Sequence, residues 1–369
     1  PRSTLFPYTT LFRSTLTKPT GRQASMAVSG SLKGSQAKNL FQSLDHLFSE
    51  LMISPNSFYP SLLELGSVDG RQVLLPVSFN LPIIIFGSSR DASIPDNFVI
   101  GLEELKALGA AFNAPGNQGF TKMGFGLRWY PEFMYEILRL SGAQFGEASP
   151  LKWDRAGLEK GLASLRSWTR ETNGSATAED DFQFKYLYLP EHRSVQEGRI
   201  AFSYLDSARY FTIPEERRNN LSFRWLARES VVPVADNPVY VGILRQSNAK
   251  TASEVFLKWF FQEDTQHAIL EDARRNRSME SSFGIAGGFS ALKSVNEKFF
   301  PLFYPSLLGK LPPASYLKPA GAMPSAWQDM KKEVLLPFLL EATSDTPSGN
   351  VHEVLEQRLA LWLKRKANR

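Results

Sequence analysis

Cysteine is absent from this chain of 369 residues. That excludes disulfides, thiolate zinc sites and cysteine nucleophiles together. It does not by itself fix a compartment. Long apolar runs are missing too. No stretch approaches the ~18 consecutive apolar residues of a membrane-spanning helix, and the most apolar one, Leu74 to Phe86, is interrupted by Pro76, Ser78, Asn80 and Pro82. Histidine is scarce: His46, His192, His267 and His352 lie in polar stretches, none at metal-ligand spacing. Solvated structural roles are expected for them, and no metal site. The chain has no Gly-x-Ser-x-Gly elbow and no Gly-x-x-x-x-Gly-Lys-Ser/Thr phosphate loop. Gly284–Gly288 is glycine-rich but neither follows a clear strand nor opens a clear helix, so it reads as a flexible connection. The carboxylate pairs Asp180-Asp181 and Glu215-Glu216 fall in polar segments expected to be solvated loops. These absences leave no catalytic residue, metal or cofactor to expect.

Charge of one sign does not accumulate either. Lys and Arg total 42, Asp and Glu 37, for a net charge of +5. The basic residues are dispersed, and the run Lys364-Arg365-Lys366 suits the negative end of a C-terminal helix. Nucleic-acid binding is therefore not expected. What the chain does have is aromatic surface: 27 Phe, 11 Tyr and 7 Trp. Flat rings serve a core and a ligand site equally well.

The opening residues 1–14, Pro-Arg-Ser-Thr-Leu-Phe-Pro-Tyr-Thr-Thr-Leu-Phe-Arg-Ser, resemble the in-frame translation of a sequencing-library adapter oligonucleotide. They lack the continuous apolar segment of a signal peptide. The expectation is that they pack on nothing, that the natural sequence resumes near Thr15, and that its true start, with any export signal or lipid-attachment cysteine, is lost.

Hydrophobic spacing then outlines the elements. Helices are expected at Asn39–Phe48, Phe58–Leu65, Leu102–Leu108, Tyr130–Leu140, after Asp154, at Ala252–Leu270, Trp327–Leu340 and from Asn350 onward. Asp154 and Asn350 serve as caps, and Pro337 bends its helix. Strands are expected at Gln72–Pro76, Leu81–Phe86, Met123–Leu127, Arg199–Tyr204 and Val239–Leu244. Asp69-Gly70 marks a tight turn. Asn173–Asp181 reads as a polar connection. Strands interleaved with helices imply α/β layers.

Four segments carry a resemblance. They are Phe58-Tyr59-Pro60 through Leu75-Pro76-Val77-Ser78-Phe79-Asn80-Leu81-Pro82; Glu197-Gly198-Arg199-Ile200-Ala201-Phe202; Val241-Gly242-Ile243 with the helix carrying Val255-Phe256-Leu257-Lys258-Trp259 and Glu263-Asp264-Thr265-Gln266; and the region from Trp327 to the closing helix. In this order they resemble the family-one extracellular solute-binding proteins of ATP-binding-cassette importers. One departure is Phe86-Gly87-Ser88, where the family has a Tyr-Asn-Lys turn.

The resemblance implies an α/β, two-lobed, periplasmic-binding-protein-like fold of type II, similar to maltose-binding protein, with solute held between lobes. It implies lobe one at 15–122 and 243–283 and lobe two at 123–242 and 284–369, with lobe one incomplete and an uncovered sheet edge near Leu81–Phe86. It implies ligand contacts from Ser78, Asn80, Trp129, Tyr130, Asp206, Ser207, Arg209, Tyr210 and Trp327. Core packing is the competing role for Trp129, Tyr210 and Trp327, and tying the backbone is the competing role for Asn80. Trp153, Trp168, Trp225, Trp259 and Trp362 are expected to pack.

The function implied is capture of a small solute, a mono- or oligosaccharide, by a monomeric periplasmic or lipid-anchored surface protein serving an importer permease. A carbohydrate-active hydrolase would instead need two carboxylates roughly 5–10 Å apart, and Asp206 alone lies in an expected ligand loop. A non-transport surface lipoprotein would have a filled cleft.

Overall fold

The computed structural model describes residues 26–28, 34–49, 52–95, 98–117, 119–324 and 326–367. The adapter-like segment 1–14 lies outside the described residues. The chain forms two compact units and passes between them repeatedly. The first holds the described residues up to Asn80, with Ser207–Thr212 and Val234–Ala322; the second holds Leu81–Asp206, Ile213–Pro233 and the part from Met323 onward.

The first unit is built on an antiparallel sheet in the order Met26–Val28, Val239–Ile243, Leu75–Phe79, Phe289–Ser290. Its Leu75–Phe79 strand is buried along its whole length, as the unbroken apolar pattern requires. The expected tight turn is present: Ser67–Val68 pairs with Arg71–Gln72, and Asp69 and Gly70 take φ of 50° and 73°. These are the left-handed conformations that Asp-Gly tolerates. One face of this unit collects Ala37, Phe41, Val73, Leu74 and Tyr240. Another collects Phe211, Phe283, Phe289, Phe300 and Tyr304, with Phe211 stacked on Phe283 at 4.7 Å.

The second unit has a four-stranded sheet in the order Phe202–Asp206, Pro82–Gly87, Leu221–Ala227, Val99–Gly101. The first two pairings are antiparallel and the last is parallel. The helix Pro131–Leu140 packs on Arg155–Ser167 and on Leu336–Ala342. Asp154 caps its helix as expected, its carboxylate accepting the Gly157 N–H at 2.7 Å. Asn350 caps the closing helix Val351–Ala367 through the N–H of His352 at 2.9 Å. Among the described residues no helix is long and apolar enough to cross a membrane.

Several expectations are corrected. The expected division put 81–122 in lobe one. The structure puts that stretch in the second unit, because Pro82–Gly87 is an inner strand of the second sheet. The expected lobe two claimed 207–212, 234–242 and 284–322. These belong to the first unit, because Val239–Ile243 and Phe289–Ser290 are strands of the first sheet. No uncovered edge exists at Leu81–Phe86: all six residues are buried, and strands flank them on both sides. The helix expected at Asn39–Phe48 runs instead over Gly34–Leu40. Phe41 then leaves helical geometry to bridge Leu244. Met123–Leu127 makes a single bridge, from Met123 to Ile200, rather than a strand. Ala252–Leu270 is two helices, Lys250–Phe260 and Glu263–Arg275. Asn173–Asp181 is no loop, since the helix Ala176–Lys185 covers most of it. Trp168, Trp225 and Trp362 are buried, but Trp259 is 46% exposed. His352 is buried between Trp153 and Glu159 rather than solvated.

Candidate functional site

The second unit carries a concavity of about 270 Å³ lined by Trp129, Tyr130, Ser194 and Ile200 and by the run Phe182, Gln183 and Tyr186–Glu191. Two scaffold pieces make it. One is the turn Leu127–Trp129, which leads into the helix Pro131–Leu140 with Pro131 in its first turn. There the missing proline N–H costs nothing. The other is the helix Ala176–Lys185. Its free N–H groups are taken by Ser175, which accepts from Ala178 at 2.9 Å, and by the Asp345 carboxylate. Asp345 accepts from the N–H of Ala176 at 2.8 Å, the N–H of Thr177 at 3.0 Å and the Thr177 hydroxyl at 2.7 Å. These bonds hold the Asp345 carboxyl below its ordinary range.

The turn is fastened to the helix at three points. The Arg128 guanidinium forks onto Asp180, at 3.1 and 3.0 Å, and its other arm donates to the Leu340 carbonyl and the Thr343 hydroxyl. The Trp129 indole N–H donates to the Glu179 carbonyl at 2.8 Å. The Arg128 backbone N–H donates to the Glu179 carboxylate at 2.9 Å, and Asn173 donates to its other oxygen at 2.9 Å. Glu179 is fully buried, and burial outweighs these donors, pushing its carboxyl up to about 7.

The aromatic surface is graded. Trp129 stacks on Phe182 at 5.5 Å and 10°, and Gly126 sits so close that a Cβ there would meet the indole at 2.2 Å. Tyr186 follows Phe182 at 5.0 Å, with the Arg199 guanidinium 5.0 Å over its ring. Tyr130 is buried and bonds through its hydroxyl to Ser203 at 2.9 Å. At the rim Tyr188 is 96% exposed. Among the described lining residues Glu191 is the one carboxylate.

The expected site residues separate into groups. Trp129 and Tyr130 line the concavity. In the first unit Asn80 donates to the Gly287 carbonyl at 2.9 Å and accepts from the Ser207 hydroxyl at 2.6 Å, while Ser78 donates to Ala286. Those three side chains tie backbone segments of one unit together. Tyr210 is buried against Phe211. Arg209 is exposed beside it, and Asp206 is half-buried at the end of its strand. Trp327 is fully buried against Tyr135 and Phe145, which makes it a core residue of the second unit. Sequence reasoning missed the segment 182–191. Its signal was the alternation Phe182, Phe184, Tyr186, Tyr188 just beyond what read as a loop.

No family profile and no curated protein matches the sequence. Solved structures do match in shape. An ABC substrate-binding protein of Listeria monocytogenes, in complex with cycloalternan, superposes with a TM-score of 0.56 over 93% of this chain and 85% of its own, at 9% identity. The cyclic α-maltosyl-1,6-maltose binding protein of Arthrobacter globiformis gives 0.59 over 92% and 85%, at 15% identity. This chain has the fold of the ABC substrate-binding proteins. It is the maltose-binding-protein type of α/β architecture, as the four-segment resemblance implied.

Proposed function

We propose that the chain is an extracytoplasmic solute-binding protein that captures a mono- or oligosaccharide and delivers it to the permease of an ABC importer, without catalysing a reaction. The observation that carries this reading is the fold shared across more than nine-tenths of the chain with two carbohydrate-binding proteins. The concavity of the second unit agrees with it. Sugar rings offer an apolar face and a rim of hydroxyls, and this surface offers Trp129, Tyr186 and Tyr188 beside Gln183, Ser194 and Glu191. Asp206 and Arg209 are further candidate hydroxyl partners. Ser78, Asn80 and Ser207 are proposed to shape the first unit rather than to touch solute, and Tyr210 and Trp327 to pack. A hydrolase needs paired carboxylates facing the substrate. Glu191 lines the concavity, whereas Glu179 lies fully buried behind it.

The test is isothermal calorimetry of the full chain against maltotetraose, cycloalternan and cyclic maltosyl-maltose, with an amino acid as control. Saturable heat with at least one saccharide, reduced about tenfold by Tyr188→Ala, is expected, since losing one stacking contact of about 1.4 kcal/mol is a factor of ten. Saccharide heats no different from the control would end this reading. So would hydrolysis products in the cell.

A further inference from the structure

The most unusual group in the second unit is a carboxylate that no solute can reach. Glu179 has no exposed surface, yet both its oxygens face donors: the Arg128 backbone N–H at 2.9 Å on one, the Asn173 amide at 2.9 Å on the other. Asn173 uses the same nitrogen to hold the Phe125 carbonyl at 2.9 Å, so it cannot easily turn its oxygen inward. The residue's own carbonyl receives the Trp129 indole N–H. One residue therefore fastens both the backbone and the side chain of the turn that supplies Trp129 to the concavity.

We propose that Glu179 is a positioning residue for the aromatic surface, its ionised carboxylate holding the Leu127–Trp129 turn in place and its protonation releasing that turn and weakening solute binding. The proposal rests on reading the concavity as the solute site. Two donors aimed at two oxygens suit a carboxylate, which only accepts. Protonation removes the charge that strengthens both bonds and turns one oxygen into a hydroxyl, a poorer acceptor whose proton the neighbouring Thr169 hydroxyl can take, so the hold on the Arg128 N–H and the Asn173 amide weakens. The charged group that faces Glu179 is Arg128, whose guanidinium is already forked on Asp180; the neighbours from the segment ahead of the helix, Thr169 and Asn173, are neutral. Burial brings the proton affinity of Glu179 to about pH 7, where modest acidification changes its state.

The experiment uses the full chain labelled with 5-fluorotryptophan, with the Trp129 resonance assigned by its loss in Trp129→Phe. Between about pH 5.5 and pH 8.5 that resonance is expected to follow a one-proton curve centred near 7. In Glu179→Gln it should be flat and lie near the acid position, because the Gln side chain also presents a donor. A flat wild-type resonance overturns the proposal without any variant. A curve that persists in Glu179→Gln overturns it too, assigning the proton to another group such as His192.

The second arm is maltotetraose affinity at pH 6 and pH 8. With the ionised form alone competent, apparent affinity scales with its population and falls about tenfold at pH 6. Equal affinities at both pH values would refute the coupling. If maltotetraose fails to bind at either pH while the fluorine curve appears, the solute reading falls and the positioning role of Glu179 stands.

Discussion

Tryptophan-to-alanine substitutions separate packing from display, and Trp168 and Trp259 make the sharpest pair. Trp168 is 1% exposed, with Phe125 at 5.5 Å and Phe133 at 5.9 Å from its ring. A tryptophan buries roughly 200 Å², and at about 25 cal/mol per Å² that is on the order of 5 kcal/mol. Denatured chains already hide part of this area, so a cost of about 3–5 kcal/mol is expected, the range seen for buried Trp→Ala. Trp259 lies on the outer side of Lys250–Phe260, 46% exposed, near the 62% exposed Val255. Its ring keeps about half its area in water. Trp259→Ala should therefore cost about 2 kcal/mol, well below the 3–5 kcal/mol expected of a fully packed residue. Trp129→Ala falls between, because it loses the stack on Phe182 and the bond to the Glu179 carbonyl. Urea unfolding of the three variants followed by circular dichroism measures this order. Equal destabilisation by Trp168→Ala and Trp259→Ala would refute the reasoning, since burial would then not be setting the cost.

Other predictions follow the same geometry. A Cβ at Gly124 would sit 2.0 Å from the Gly109 carbonyl oxygen, backbone against backbone, so Gly124→Ala should lower the melting temperature far more than Gly70→Ala. Gly70 has open space around it, and only its φ of +73° resists, at a cost of about 1 kcal/mol. Asp345 has its folded pKa depressed, so its contribution is present above its ordinary value of 3.8 and is lost as pH falls through the lower folded value. The melting-temperature gap between wild type and Asp345→Asn should close in that acid range. Glu179 has the opposite sign. With its folded pKa raised from 4.5 to about 7, its contribution is fully present below 4.5 and declines as pH rises to about 7. At 1.36 kcal/mol per unit this is a loss on the order of 3 kcal/mol. Unfolding free energy measured from pH 4.5 to 8 should show that decline in wild type and not in Glu179→Gln.

The sequence was most readable where a local pattern and its tertiary use coincide. Asp69-Gly70 takes left-handed backbone in its turn, and Leu75–Phe79 and 82–86 are apolar because they are inner strands buried along their length. The division into units was not readable, because it depends on which distant strand a segment pairs with. Pro82–Gly87 follows Leu75–Phe79 within a few residues but pairs with Phe202–Asp206 and Leu221–Ala227. Of the candidate site, Trp129 and Tyr130, expected from the resemblance, line the concavity of the second unit, but the helix behind them was not expected. Its buried positions are Ala176, Glu179 and Phe182, and a glutamate in the middle of an inward face erases the apolar spacing by which helices are recognised. Trp259 failed for the converse reason: it belongs to a helical pattern, yet its position faces out.

The interrupted descent of the two units bears on how the chain can fold. The first sheet sets Met26 against Ile243 and Ser78 against Ser290, and the second sets Pro82 against Asp206. Contacts so far apart in sequence must close large loops before they yield any stabilisation, which slows folding. A chain emerging from the ribosome cannot finish its second sheet before Ala227, nor its first before Ser290. The second unit, although its sheet closes earlier, waits longer for helices: Leu336–Ala342 packs on Pro131–Leu140, and Val351–Ala367 buries His352 against Trp153 and Glu159, partners that were made far sooner. Nascent chains stopped short of those helices should hold an open second unit, accessible to protease and to any factor that binds unfolded polypeptide.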